Sequence, residues 1–231
     1  MDLFSAFSQQ ELTAIFLSLK IASVAVILAL PFSIGIAWLL ARKNFWGKNL
    51  LNGIIHLPLV LPPVVIGFLL LISMAKKGLI GQYLWDWFGI SLSFSWKGAV
   101  LASIVMAFPL MVRSIRLAFE AIDPKLEQAA RTLGANPVKV FFTLTLPLSF
   151  SGIIAGAVLG FARSLGEFGA TITFVSNIPN ETQTIPAALY TFIETPDGEM
   201  AAARLCLVAI AISLVALFAS EWLAQRQQKY R

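Results

Sequence analysis

Glu127 with Arg131, in a polar island between long apolar runs, and Arg163 with Glu167, within one such run, are acid–base pairs at helical i, i+4 spacing. Such pairs can neutralise each other, grip a partner or present charge to a passing ion. Bond-breaking chemistry finds little to work with. A single His56 cannot build an HExxH zinc site or a two-histidine haem, and a single Cys206 in an apolar run permits no intrachain disulfide and reads as a packing residue. No metal cluster is expected. No Gly-x-x-x-x-Gly-Lys-Ser/Thr loop occurs, so phosphate-loop ATP hydrolysis is not the chemistry of this chain.

The elements that must position these residues are membrane helices. Of 231 residues 58% are hydrophobic and 13% charged, and the mean hydropathy is +0.82. Those values exclude an ordinary soluble domain. A spanning helix needs about 20 mostly apolar residues, because lipid cannot satisfy an exposed backbone. Five stretches qualify: about Leu12 to Leu40, Ile54 to Ala75, Trp96 to Ala118, Val140 through Arg163 and Glu167 to about Val175, and Ala201 to Leu223. One domain over 1–231 is expected, with a core at about 12–223. A sixth span, made by splitting the fourth at Arg163, would put the basic tail Gln225 to Arg231 outside and is rejected. Met1-Asp2-Leu3 lacks a basic leader, so the first segment is expected to be retained as a helix.

Lysine and arginine set the orientation. With the N-terminus outside and the C-terminus cytoplasmic, Arg42, Lys43, Lys48, Arg113, Arg116, Lys125, Arg131, Lys139, Arg226, Lys229 and Arg231 fall inside, against Lys76, Lys77, Lys97 and Arg204 outside. This placement accounts for the formal charge of +5 without nucleic acid. Trp85, Trp87 and Trp96 outside, with Trp38, Trp46 and Trp222 inside, suit interfacial belts. His56 near the inner start of the second span reads as structural in preference to a proton relay.

The polar island around Glu127 therefore lies in a cytoplasmic loop, about 119–139. Asp123-Pro124 reads as an N-cap with proline at the first helical position, Glu127 suits the first turn, and Gly134 suits a left-handed stop before Asn136-Pro137. Leu126, Ala129, Ala130 and Leu133 complete a short amphipathic helix. It is either a connector on the membrane surface or a docking helix whose small residues admit a partner.

The residue order favours docking. Glu127-Gln128-Ala129-Ala130-Arg131-Thr132-Leu133-Gly134, closed by Leu146-Pro147, resembles the coupling-helix signature of ABC transporter permeases: an EAA triplet, a glycine, then a hydrophobic residue and proline. Leu57-Pro58-Leu59-Val60-Leu61-Pro62-Pro63 and Phe161-Ala162-Arg163-Ser164-Leu165-Gly166-Glu167-Phe168-Gly169-Ala170 look like the molybdate/tungstate permease subunits, with sulfate permeases as relatives. The resemblance covers nearly the whole chain. It implies an all-α integral membrane protein with the type I ABC importer permease fold and five transmembrane helices, multi-pass in the bacterial inner membrane. It also implies ATPase-coupling roles for Glu127, Ala129, Ala130, Arg131, Gly134 and Pro147. The implied partners are a second copy, two cytoplasmic ATPase subunits that use ATP and Mg, and a periplasmic or surface molybdate-binding protein. No cofactor is expected on this chain. A sulfate, thiosulfate or other oxoanion permease is the alternative within the family.

Candidate pathway residues are Arg163, Ser164, Glu167 and Gly169. Intramembrane charge usually faces a bundle interior or a water-filled cavity, and on one unbroken helix Arg163 and Glu167 would lie roughly 24 and 30 Å from Pro147. Either the two neutralise each other and lock the helix, or Arg163 offers positive potential to a dianion. The lock is favoured, because a conduit must release its cargo. Pro58, Pro62 and Pro63 form a candidate gate or a rigid kink, and Gly67 offers close helix contact. The outer loop Ile178 to Glu199 reads as turn-rich and exposed. A passive channel would predict rings of charge and no coupling helix. An intramembrane enzyme would need convergent acids, bases or metal ligands, which the scattered carboxylates do not supply.

Overall fold

A computed structural model describes residues 7–228, without the side chains of 220 and 223–228. The start Met1-Asp2-Leu3 and the tail residues Lys229 and Arg231 lie outside the described residues, as does the Arg226 side chain. The described chain is all helix. Three helices are long and apolar enough to cross a membrane, or up to five if each of two bent pairs counts as one span.

Helix α1 (Gln9–Arg42) opens on a capping box, in which Ser8 and Glu11 satisfy each other's backbone N–H. Helices α2 (Lys48–Val60) and α3 (Pro63–Met74) make the first bent pair, turned by 111°. The cause is local. A residue before proline is driven out of the helical region, and Leu61 precedes Pro62 while Pro62 precedes Pro63. Both are extended, at ψ 144° and 135°. Pro58, by contrast, sits within α2 without breaking it. The expected second span is thus an elbow and not one kinked rod.

A short helix α4 (Gly81–Phe88) leads into α5 (Trp96–Glu120), the centre of the bundle. The cytoplasmic-loop sequence forms α6 (Pro124–Thr132), then a single turn α7 (Pro137–Val140), a π-helical turn (Phe141–Thr145) and a three-residue turn α8 (Leu146–Leu148). The chain bends by 68° into α9 (Phe150–Leu165). Here the expectation of a span running on to Val175 fails: α9 stops at Leu165, Gly166 caps it, and a separate α10 (Gly169–Val175) follows. The turn-rich outer loop also proves half wrong. It holds α11 (Ile185–Glu194), whose Ile185, Ala187 and Ala188 are buried, before α12 (Glu199–Gln228).

Small residues let the helices approach. Gly152, Gly156 and Gly160 line one face of α9 at four-residue spacing, and a β-carbon on Gly160 would stand 2.7 Å from the Met111 sulfur of α5. Such small-xxx-small seams allow the close packing that associates helices where lipid removes the hydrophobic drive. Two main clusters form around α5: one joins it to α1, α3 and α10 through Ile21, Ile66, Met106 and Phe174, the other to α1 and α9 through Leu40, Ile115, Phe119 and Ile153.

Candidate functional site

The island helix α6 begins as its sequence suggests. Asp123 Oδ1 accepts from the Lys125 N–H at 2.9 Å, and Pro124 occupies the first helical position. It ends at Gly134, whose φ of +86° is left-handed. A β-carbon there would meet nothing within 4 Å, so glycine is needed for its backbone conformation and not for space. Asn136 Oδ1 then caps the next turn by accepting from the Lys139 N–H at 2.7 Å.

The polarity of α6 is reversed from that of an ordinary surface helix. Its only buried residue is the acid Glu127, while Leu126 is 48% exposed and Leu133, just past its end, 89%. Gln128, Ala129 and Arg131 are exposed beside them. The face turned to solvent thus mixes apolar, small, polar and basic side chains.

Glu127 does not pair with Arg131, as the i, i+4 spacing suggests. Its Oε1 accepts from Arg42 Nε at 3.0 Å and from the Thr145 hydroxyl at 2.9 Å, with Arg42 Nη2 also 3.0 Å away. The same Nη2 donates to the Ile122 carbonyl at 3.1 Å. Arg42 and Glu127 side chains each retain 12% exposure. One carboxylate therefore ties α6 to the last turn of α1 and to the π-helical turn. A charged hydrogen bond of this kind is shorter and stronger than a neutral one. Sequence reasoning missed Arg42 and Thr145, 85 and 18 residues from Glu127. The one signal for Thr145 was its place in the Thr143-Leu144-Thr145-Leu146-Pro147 run that closes the motif. Pro147, Ala129 and Ala130 make no part of this clamp.

The second candidate cluster is also internal. Arg163 Nη1 lies 2.6 Å from Glu167 Oε2, and Glu167, 1% exposed, uses Oε1 to accept the Ala170 N–H at 2.8 Å. Glu167 is thus both the neutralising partner of Arg163 and the cap of α10. The hydroxyl of buried Ser164 has no hydrogen-bond partner among the described residues.

The structure joins two groups that the sequence left apart. Gly169, first residue of α10, would put a β-carbon 2.8 Å from the Pro63 ring at the elbow. One on Gly67 would stand 2.5 Å from the Ala170 carbonyl and 2.8 Å from Thr173 Cβ. Helix α10 is therefore seated directly on α3, with the chain break of one against the chain break of the other. Gly67 and Gly169 are what allow it. Pro58 lies within α2, and Pro62 is the residue that opens α3.

The model of the family described as "Binding-protein-dependent transport system inner membrane component" matches residues 14–229. The chain belongs to that family. It is similar to the molybdenum transport system permease protein ModB of Haemophilus influenzae, 66% identical over 95% of this chain and 96% of that one. Against the ModB of Escherichia coli K12 the identity is 65%, over 93% and 94%. A sulfate transport system permease, CysT of Salmonella typhimurium, is 35% identical over 94% of this chain and 78% of its own. Among solved structures, a bacterial ABC transporter involved in alginate import superposes with a TM-score of 0.75 at 18% identity, covering 95% and 80%. That likeness establishes the ABC importer permease fold. Members of the family are transport components and not enzymes, and this chain is a multi-pass membrane protein of that kind.

Proposed function

We propose that this chain is the membrane permease of an ATP-driven molybdate importer. The observation that carries the substrate is identity: 66% to a molybdenum permease against 35% to a sulfate permease, each over most of the chain. In the working complex two copies face each other in the inner membrane, each as five spans with the N-terminus outside and the C-terminus in the cytoplasm. Two ATPase subunits receive the α6 helices, and a binding protein delivers the anion from outside. ATP and Mg belong to the ATPases.

The geometry supports a definite division of labour. The exposed face of α6, with Leu126, Ala129, Arg131 and Leu133, enters the ATPase cleft, and Ala129 and Ala130 let it approach closely. Glu127 stays behind, held by Arg42 and Thr145. When ATP closes the ATPases and α6 moves, this clamp carries the displacement into α1 and, through the π-helical turn and Pro147, into α9. The joint of α3 on α10 is the gate. Both partners are half-helices ended at chain breaks, so they can tilt without bending a continuous span, whereas continuous packed helices resist small deformations. Arg163 and Glu167 lock the break in place and leave no fixed net charge to trap the cargo.

Proteoliposomes holding the permease and its ATPase, supplied with the binding protein, test this reading. Uptake of radiolabelled molybdate that needs ATP, and that a tenfold excess of sulfate leaves largely intact, is the expected result. Uptake indifferent to ATP would sink the importer, and equal competition by sulfate would move the assignment to a general oxoanion permease.

A further inference from the structure

At the end of the bundle that carries α6, helices α2 and α5 flank an open cleft of about 340 Å³ lined by Asn52, His56, Arg113, Arg116, Leu117 and Glu120, of which Arg113, Leu117 and Glu120 are exposed. We propose that it is a binding site for a free tetrahedral oxoanion, the last set of protein ligands before release into the cytoplasm. That location rests on the importer reading given above. The site itself rests on the donors gathered there.

Asn52 and His56 stand one helical turn apart on α2, and Arg113, Arg116 and Glu120 at i, i+3 and i+7 on α5, so two polar stripes face each other. Hydrogen bonds orient Asn52, His56, Arg116 and Glu120. Arg116 gives Nε to Glu120 at 2.7 Å and Nη1 to the Asn52 side-chain oxygen at 3.1 Å. With that oxygen occupied, the Asn52 NH2 is left as a free donor. His56 Nδ1 lies 2.8 Å from the Asn52 backbone carbonyl, so it carries the proton in the neutral ring and donates to that carbonyl. In that tautomer Nε2 carries a lone pair and offers an anion no hydrogen, so the donors are those of Arg113, Arg116 and Asn52.

The charge in the cleft is not balanced. Arg42, Arg116, Arg163 and Arg204 each meet a carboxylate. Arg113, in the cleft wall, meets none among the described residues. Two guanidiniums three residues apart on one helix face repel, and the single carboxylate of Glu120 is already engaged by Arg116. A dianion with oxygens at tetrahedral angles removes the repulsion and can accept from both arginines and from Asn52 together, with the cleft leaving room for part of its water shell. Arginine suits this task because its planar fork offers paired donors to oxyanions and stays charged. Partial exposure and the competing Glu120 keep binding weak, as a release site requires.

The test uses the purified permease–ATPase complex without its binding protein, dialysed to equilibrium against radiolabelled molybdate. Saturable binding is expected, weakened about tenfold by Arg113→Gln and partly restored by Arg113→Lys. Glu120→Gln removes the competing carboxylate and is expected to tighten binding several-fold, an effect that misfolding cannot imitate. Binding that ignores both substitutions overturns the site. So does a second arm in nanodiscs in which phosphatidylglycerol abolishes molybdate binding and stabilises the wild type but not Arg113→Gln, since the cleft then holds a lipid phosphate. ATP-driven molybdate uptake that persists while no binding occurs here would remove the site alone. Arg113-dependent binding in a complex that imports no molybdate would remove the importer reading alone.

Discussion

Glu127 and Glu167 are both buried acids, the first inside α6 and the second at the break between α9 and α10, and they hold their surroundings in opposite ways. Glu127 reaches across the chain to Arg42 and Thr145, joining three separate elements. Glu167 stays within four residues of itself, pairing with Arg163 and capping Ala170. The first geometry ties separate elements together. The second preserves a break between two half-helices, the latter seated against α3. On the mechanism proposed above, the first is the link where force enters and the second lies at the joint where the pathway opens.

The comparison breaks most severely at Glu127→Lys. An ammonium facing Arg42 leaves two like charges in a site with 12% exposure on each side chain, and breaking a buried pair by removing one partner costs about 3–5 kcal/mol. ATP-driven uptake is expected to fall at least 100-fold. Co-purification with the ATPase separates the causes: the outer face of α6 is untouched, so partial assembly is expected to survive with ATP hydrolysis no longer linked to transport. Full uptake would show that the clamp transmits nothing.

Gly169→Val attacks the other region. A β-carbon already falls 2.8 Å from Pro63, and overpacking of this kind costs about 1–3 kcal/mol. Because α10 is seated on α3 and not on α6, uptake is expected to drop about tenfold while basal ATP hydrolysis and assembly hold. Loss of assembly instead would mean that the joint is structural for the whole bundle. A smaller effect belongs to Gly134→Ala. A β-carbon there meets no neighbour, but φ of +86° disfavours alanine by about 1 kcal/mol. The end of α6 shifts, and coupled turnover is expected to fall a few-fold, measured as molybdate imported per ATP.

Much of this contrast could be read from residue order, and the unread part has physical causes. Long apolar runs located α1, α5 and α12, and Asp123-Pro124 with Gly134 bounded α6, because capping and proline chemistry act within a few residues. Position along a helix did not disclose which way Glu127 points. The i, i+4 rule offered Arg131, while burial against the body offered Arg42, and the inward direction won because Arg42 and the Thr145 hydroxyl both donate to the carboxylate there. Pro62-Pro63 announced a disturbance, but a 111° elbow depends on what α3 packs against. The break at Gly166 was hidden because apolar residues resume at Phe168, so Arg163 and Glu167 could stand as an i, i+4 pair on one continuous helix. Only the cap that Glu167 gives to Ala170 reveals two helices, and that cap is a contact three residues long that also reads as an ordinary helical turn.

The mildest test separates the two tasks of Glu167 itself. Glu167→Gln keeps a side-chain oxygen to accept the Ala170 N–H at the distance now seen, 2.8 Å, but removes the charge that meets Arg163. Glu167→Ala removes both. Losing a side-chain acceptor for a first-turn N–H costs about 0.5–2 kcal/mol, so the alanine variant is expected to be less stable than the glutamine variant by an amount of that order. If neutralising Arg163 is what keeps the joint from holding its cargo, Glu167→Gln will import more slowly and retain molybdate longer, a two- to fivefold effect visible in washout from proteoliposomes. If the pair only locks the break, Glu167→Gln will transport like the wild type, and the local character of this region, set against the long reach of Glu127, will rest on the cap alone.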